Sequence, residues 1–351
     1  MKRKNTVHLA PFGIFHQILC LVGFFMVSSM YQCTDPDSEN TASTPDEFSD
    51  SISYYTRQVE RQPDKNIPLF HRAKHFYERG AYDAALKDLQ NALHIDSTHL
   101  ETYLLKSQIE MDYFRSRAAL KTLQKAEIIW PNSIEVKEDL AKTHLILKQY
   151  TSAREAAQKA LEINPFSAKP HLFLGLIEKE NQDTATAISH FQSAVQNNAD
   201  LLDAWVELAK LKMSTDPDEA VPYFESALQI EPDNVHLWHT YATYWQSRDS
   251  LARAKECYKL INELDPEYKE AYFNKALILM DQDSFLTAIP VWDQYILQEP
   301  DQAQGYYYRG ISHEMVQNYP AALNDYKEAR ERDPRLDQIE DAIKSMEQKI
   351  R

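Results

Sequence analysis

Glycine is scarce in this chain, with six in 351 residues. Loops that wrap a phosphate depend on clustered glycines. No G-x-G-x-x-G, no G-x-x-x-x-G-K-[ST] and no G-x-S-x-G elbow occurs. Cysteine is almost as rare. Cys20, Cys33 and Cys257 cannot form a disulfide framework, and no C-x-x-C or H-E-x-x-H is present. No segment alternates apolar and polar residues as a half-buried strand does. Basic residues are outnumbered: 38 Lys and Arg against 53 Asp and Glu give a net charge of -15. Such a chain repels phosphates, which argues against a nucleic-acid partner. Two histidine pairs have helical spacing, His71/His75 and His236/His239, but neither has an evident third ligand. No metal, cofactor or catalytic residue is therefore expected. Cys257 has no base beside it and reads as structural. Asp216-Pro217-Asp218-Glu219 reads as a helix start, with Asp216 as N-cap and Pro217 in the first turn, rather than as a calcium cluster.

What the chain does contain is a period of 34 residues. Eight units follow one another: 66–99, 100–133, 134–167, 168–201, 202–234, 235–268, 269–302 and 303–336. The fifth is one residue short near Asp216-Pro217. The twentieth position is alanine in every unit: Ala85, Ala119, Ala153, Ala187, Ala220, Ala254, Ala288 and Ala322. The eighth is always small: Ala73, Ser107, Ala141, Gly175, Ala209, Ala242, Ala276 and Gly310. Large residues recur at the twenty-fourth: Leu89, Leu123, Phe191, Phe224, Tyr258, Trp292 and Tyr326. Small residues let two helices approach closely, and the large ones fill the space beside them. A proline near the end of most units (Pro131, Pro165, Pro232, Pro266, Pro300, Pro334) stops the second helix. Pro222 and Pro290 fall inside second helices and are expected to bend them.

This pattern resembles the tetratricopeptide repeat family over residues 66–336. The resemblance implies an all-α fold: a right-handed superhelix, or α-solenoid, of eight helix-turn-helix units that each bury a face against the next. Departures are local. Lys137 and His171 replace a large apolar fourth residue, and Ile261 and Tyr295 replace alanine at the twenty-seventh, which should open those pairs slightly. Residues 49–65 read as an N-terminal capping helix, with Tyr55 at the aromatic position. Residues 337–351 read as a C-terminal cap that turns Ile339, Ile343 and Met346 toward the stack.

The N-terminus has three basic residues, Lys2, Arg3 and Lys4, then an apolar run strongest from Ile18 to Met30, then Cys33. This resembles a bacterial lipoprotein signal of the loose kind found in Bacteroidetes-type bacteria, although Tyr31 and Gln32 are larger than the usual residues before the cut. The resemblance implies a signal peptide over 1–32 and lipidation of Cys33. Cleavage near Ser28-Ser29 and an uncleaved anchor are the competing readings. Residues 33–48 are polar and acidic and read as a tether. The implied location is the cell envelope, as a lipid-anchored protein of the outer membrane.

In the resembled family the first helices line a concave surface that holds peptides. Carried over by position, the candidate partner-binding residues are Phe70, Tyr77, Leu104 and Met111 in the first two units. The fourth unit adds Leu172, Phe173 and Leu176. The last two units add Phe273, Asn274, Leu277, Met280, Tyr307, Tyr308, Ile311 and Met315. Aromatic and methionine side chains suit an apolar or amphipathic peptide. The resemblance implies a non-catalytic scaffold for a protein or peptide in an envelope assembly. The lysine and asparagine clamp by which some members hold a chaperone C-terminus is absent. The alternative reading is a helical-repeat enzyme or wall-glycan-binding module built on Asp281 and Glu314 near Tyr307 and Tyr308.

Overall fold

The computed structural model describes residues 47–336 and 338–351. The signal segment, Cys33 and the tether up to residue 46 lie outside the described residues. Eighteen α-helices are present among the described residues. The chain enters through α1 (Glu47–Arg61). Each unit then supplies a first and a second helix: α2 (Asn66–Glu78) and α3 (Tyr82–Ile95), α4 (Leu100–Asp112) and α5 (Ser116–Ile129), α6 (Ile134–Ile146) and α7 (Tyr150–Ile163), α8 (Ala168–Glu180) and α9 (Thr184–Asn197). The later units supply α10 (Leu202–Thr215) and α11 (Val221–Ile230), α12 (Val235–Ser247) and α13 (Leu251–Leu264), α14 (Lys269–Asp281) and α15 (Phe285–Gln298), α16 (Ala303–Met315) and α17 (Tyr319–Arg332). The chain closes with α18 (Ile339–Ile350). Glu47 and Phe48, read from sequence as tether, already belong to α1.

The turn inside each unit has one construction. The fifteenth residue adopts a left-handed backbone in seven units: Gly80, Phe114, Lys148, Gln182, Asp249, Asp283 and Gln317, with φ between 53° and 71°. The next residue then donates its N–H to the carbonyl five positions back, at 2.7–2.9 Å, as Ala81 does to Phe76 and Asn318 to His313. Orphaned carbonyls at the helix end are thereby satisfied. The fifth unit lacks this residue. There α10 runs to Thr215 and passes directly into a 3-10 turn, Pro217–Glu219, before α11 starts. The missing residue of that unit is thus the left-handed one.

Asp216 is the N-cap and Pro217 stands in the first turn, as read from the sequence, although the turn is 3-10 and the Asp216 side chain makes no capping hydrogen bond. One expectation is corrected. Pro222 stands in the first turn of α11, where a missing N–H costs nothing, so it does not bend a helix interior. Pro290 does sit inside α15.

The core follows the repeat. All eight alanines of the twentieth position are fully buried, as are Leu89, Leu123, Phe191, Phe224, Tyr258 and Trp292 of the twenty-fourth. The eighth and twenty-fourth positions face each other. A Cβ placed on Gly175 would lie 2.6 Å from Cε1 of Phe191, and one on Gly310 would lie 2.9 Å from the Tyr326 ring. Glycine is therefore the residue that admits those rings. Tyr295, one of the departures, is received in the same way: a Cβ on Gly305 would lie 2.9 Å from its ring.

Charges are built into the core too. Arg72 on α2 grips Asp88 on α3 through two bonds, 2.6 and 2.8 Å. Arg309 on α16 grips Asp325 on α17 in the same way, 2.9 and 2.6 Å, and also reaches Asp293 at 2.7 Å. These are the seventh and twenty-third positions of the first and last units. Lys137 is buried and pairs with Glu127. The helical caps seal both ends. Tyr55 stacks on His71 and His75, with ring centroids at 5.1 and 5.6 Å. Ile339, Ile343 and Met346 are buried against Ala322, Tyr326 and Ala329.

Candidate functional site

First helices of the first four units touch one another, α2 with α4, α4 with α6 and α6 with α8. Side chains join them across that seam. Tyr77 donates its hydroxyl to Asp112, and Gln108 Nε2 donates to Tyr77 Oη at 3.1 Å. Lys179 pairs with Glu207. Farther along, Tyr268 Oη lies 2.8 Å from His239 Nδ1 and 3.4 Å from His236 Nδ1. Asn274 Nδ2 lies 3.1 Å from His239 Nε2. Both nitrogens of His239 are thus engaged within the protein. Apart from Tyr268 at the end of its unit, the residues in these contacts occupy the second, fifth, sixth, ninth, twelfth and thirteenth positions, which share one side of a helix and are called here the first-helix face.

The predicted partner-binding residues take different places on this face. Phe70, Tyr77, Leu104 and Met111 are half-buried. Phe70 packs edge-on to His71 and His99. Burial, and after it the bond to Asp112, pushes the Tyr77 hydroxyl up to about 12. In the fourth unit Leu172 and Phe173 are buried in the core, and only Leu176 keeps a half-exposed side chain. Leu172 and Phe173 therefore build the stack and offer little surface.

In the last two units Phe273 packs edge-on to Trp292 at 5.3 Å and 6.0 Å from Tyr308, while Tyr308 stacks on Trp292 at 5.2 Å. Met280 Sδ accepts the Trp292 indole N–H at 3.3 Å. Tyr307 lies beside Tyr308 and Tyr326. Asn274, Leu277 and Ile311 are half-buried, and Met315 is 55% exposed. The aromatics of this group thus hold α14 and α16 together, Leu277 and Ile311 pack partly on the core beside them, and Met315 is the most open of the group.

Asp281 and Glu314 do not form a free carboxylate pair. Glu314 accepts the Tyr326 hydroxyl at 2.7 Å and the Lys349 ammonium at 2.8 Å, while Asp281 stands exposed at the end of α14.

A tetratricopeptide repeat model matches residues 139–204 and 273–337. The helices pack in pairs as tetratricopeptide helix-turn-helix units do. Human tetratricopeptide repeat protein 13 is 22% identical over 168 residues, which is 46% of this chain and 19% of that protein. Anaphase-promoting complex subunit 7 of Dictyostelium discoideum is 26% identical over 211 residues, 59% of this chain and 35% of that protein. The chain therefore spans only a minor part of either relative's length. Among solved structures, the C-terminal part of a repeat-containing protein from Cytophaga hutchinsonii superposes with a TM-score of 0.59 at 16% identity, over 68% of this chain and 99% of that one.

Along the eight units the first-helix face changes character, which the residue-by-residue carry-over missed. Lysines occupy it only in the first five repeats: Lys74, Lys142, Lys169, Lys179 and Lys210. Two carboxyls in that half are perturbed. Burial pushes Asp139 up to about 6, with Lys142 and Lys169 pulling the other way. Burial and then Glu207 raise Asp203. The sequence signal was the row of acids at the second, fifth and sixth positions of the third and fifth repeats: Glu135, Glu138, Asp139, Asp203 and Glu207.

Proposed function

We propose that this protein is a non-catalytic scaffold that holds a protein or peptide partner of the cell envelope on its first-helix face. A lipid on Cys33 tethers it to the outer membrane. The observation that carries the binding reading is the apolar surface left on the first helices α14 and α16. Leu277, Ile311 and Met315 keep surface there, while every alanine of the twentieth position is fully buried. Apolar surface left open beside a sealed core is the usual mark of a contact site. The anchor reading rests on the basic start, the apolar run and the position of Cys33. Tethering would raise the partner's effective concentration at the membrane.

Two comparisons test this. Affinity recovery of the tagged chain after in-cell crosslinking should enrich one or two envelope proteins, and Leu277→Gln with Met315→Gln should lose them with the circular dichroism unchanged. Unaltered recovery contradicts the binding face. Membrane fractionation should show Cys33→Ser leaving the membrane, and an unmoved variant contradicts the lipid anchor. Phe273→Ala is a poor probe, because its ring packs on Trp292.

A further inference from the structure

On the first-helix face of the last three repeats no Lys or Arg side chain is left without an acidic partner; Lys349, which reaches it from α18, is taken by Glu314. α12 contains neither Lys nor Arg. The three basic residues of α14 and α16 are turned elsewhere. Lys269 pairs with Glu299, and Arg309 pairs with Asp325 and Asp293. Lys275 feels Lys259, Glu263 and Lys255, all on the second helix α13. Three acids remain on the face: Glu270, Asp281 and Glu314. Lys349 already meets Glu314. Glu270 and Asp281 are exposed, and neither forms an ion pair among the described residues. They stand at the two ends of α14, about 16 Å apart at 1.5 Å per residue. Leu277 on α14 and Ile311 on α16 are half-buried, and Met315 at the end of α16 is 55% exposed.

We propose that this part of the face takes a cationic, amphipathic segment of the protein partner. Its apolar side chains sit on Leu277, Ile311 and Met315, and its lysines or arginines meet Glu270 and Asp281. The inference rests on the scaffold reading and adds the chemistry of the occupant. Charge complementarity selects it. An acidic segment meets Glu270 and Asp281, and the nearby cations Lys269 and Lys349 are already held by Glu299 and Glu314, while a neutral segment leaves both carboxylates without an ion-pair partner. Exposed ion pairs add little affinity one by one, so the apolar contacts hold the segment and the carboxylates choose its sign and orientation.

The test uses the full chain in detergent and three synthetic amphipathic peptides of equal length, built from Leu with Lys, Leu with Gln or Leu with Glu. Fluorescence anisotropy reads binding at low and high salt. The Leu/Lys peptide is expected to bind at least tenfold tighter than the Leu/Gln peptide and to weaken with salt. Glu270→Lys with Asp281→Lys should cost it at least tenfold. Glu225→Lys with Glu256→Lys makes the same charge change on second helices and should cost less than twofold. Equal losses in the two charge swaps would mean general attraction to an acidic chain and would overturn the inference. So would tightest binding of the Leu/Gln or Leu/Glu peptide; if Leu277→Gln then abolishes it, the scaffold reading survives while the cationic occupant does not. If Leu277→Gln and Met315→Gln change binding of none of the three, the scaffold reading itself falls. Circular dichroism of each variant checks that it has folded.

Discussion

Gly175 and Phe191 show what a single residue decides in this stack. Alanine is the better helix former by about 1 kcal/mol, yet its Cβ would lie 2.6 Å from the Phe191 ring. Overpacking of that kind costs about 1–3 kcal/mol. Gly175→Ala should therefore lower stability despite its propensity, as a fall in urea midpoint; a rise would show that the ring can move aside. The repeat pattern predicted a small residue here, but pattern alone could not separate glycine from alanine, because that choice depends on where one ring lies. His171 shows the same limit. It was legible only as a departure at the fourth position. In the structure it faces His190 with ring centroids 5.8 Å apart, and its buried Nδ1 has no hydrogen-bond partner. Burial lowers both histidines. The neighbouring ring lowers His171 further, while Glu178 raises and Arg154 lowers His190. A histidine lowered by folding favours the native state in its neutral form. The stability it supports is present above the unfolded value near 6.5 and is lost as pH falls through the folded value. His171→Leu should thus flatten the drop in urea midpoint between pH 7.5 and 5.5. An equal drop in parent and variant would remove the pair from the account.

At the scale of the element, the pairing of helices and the places where second helices stop were readable because alanine, proline and the period repeat in register. The division of the fifth second helix into a 3-10 turn and α11 was not readable. Losing one residue removed the left-handed turn and brought Pro222 to a helix start, and that outcome belongs to backbone geometry rather than to residue pattern. The same geometry was hidden in the other turns, since only Gly80 of the seven left-handed residues is the residue type that favours this conformation. Phe114 is the clearest case, with φ 57° and 78% of its surface exposed. The left-handed conformation costs a non-glycine residue about 1 kcal/mol or more, and an exposed ring returns little. Phe114→Gly should raise the melting temperature by about 2 °C. A lower value would mean that the ring packs on something of consequence. Arg309 ties α16 to α17 in the last repeat. Arg309→Met would leave Asp325 buried without its partner, at a cost of about 3–5 kcal/mol, so melting should begin at the C-terminal end of the stack. Hydrogen exchange would locate it, and uniform loosening would contradict this.

Across the whole molecule the stack was legible and the face only partly so. The carry-over by position brought together residues that do share one side of the first helices, but it could not say which of them are spent on packing. Leu172 and Phe173 are core, and Phe273, Tyr308 and Met280 brace Trp292. Burial depends on the neighbouring helix, which a single repeat does not specify. The asymmetry of charge along the face emerged only when the basic side chains could be followed to their acidic partners. The most direct test of the central claim is in-cell photocrosslinking from single positions. A photoreactive residue at Leu277 or Met315 should capture the same partner, and one at Glu225 or Glu256 on the second helices should not. Capture from the second helices alone would contradict the account.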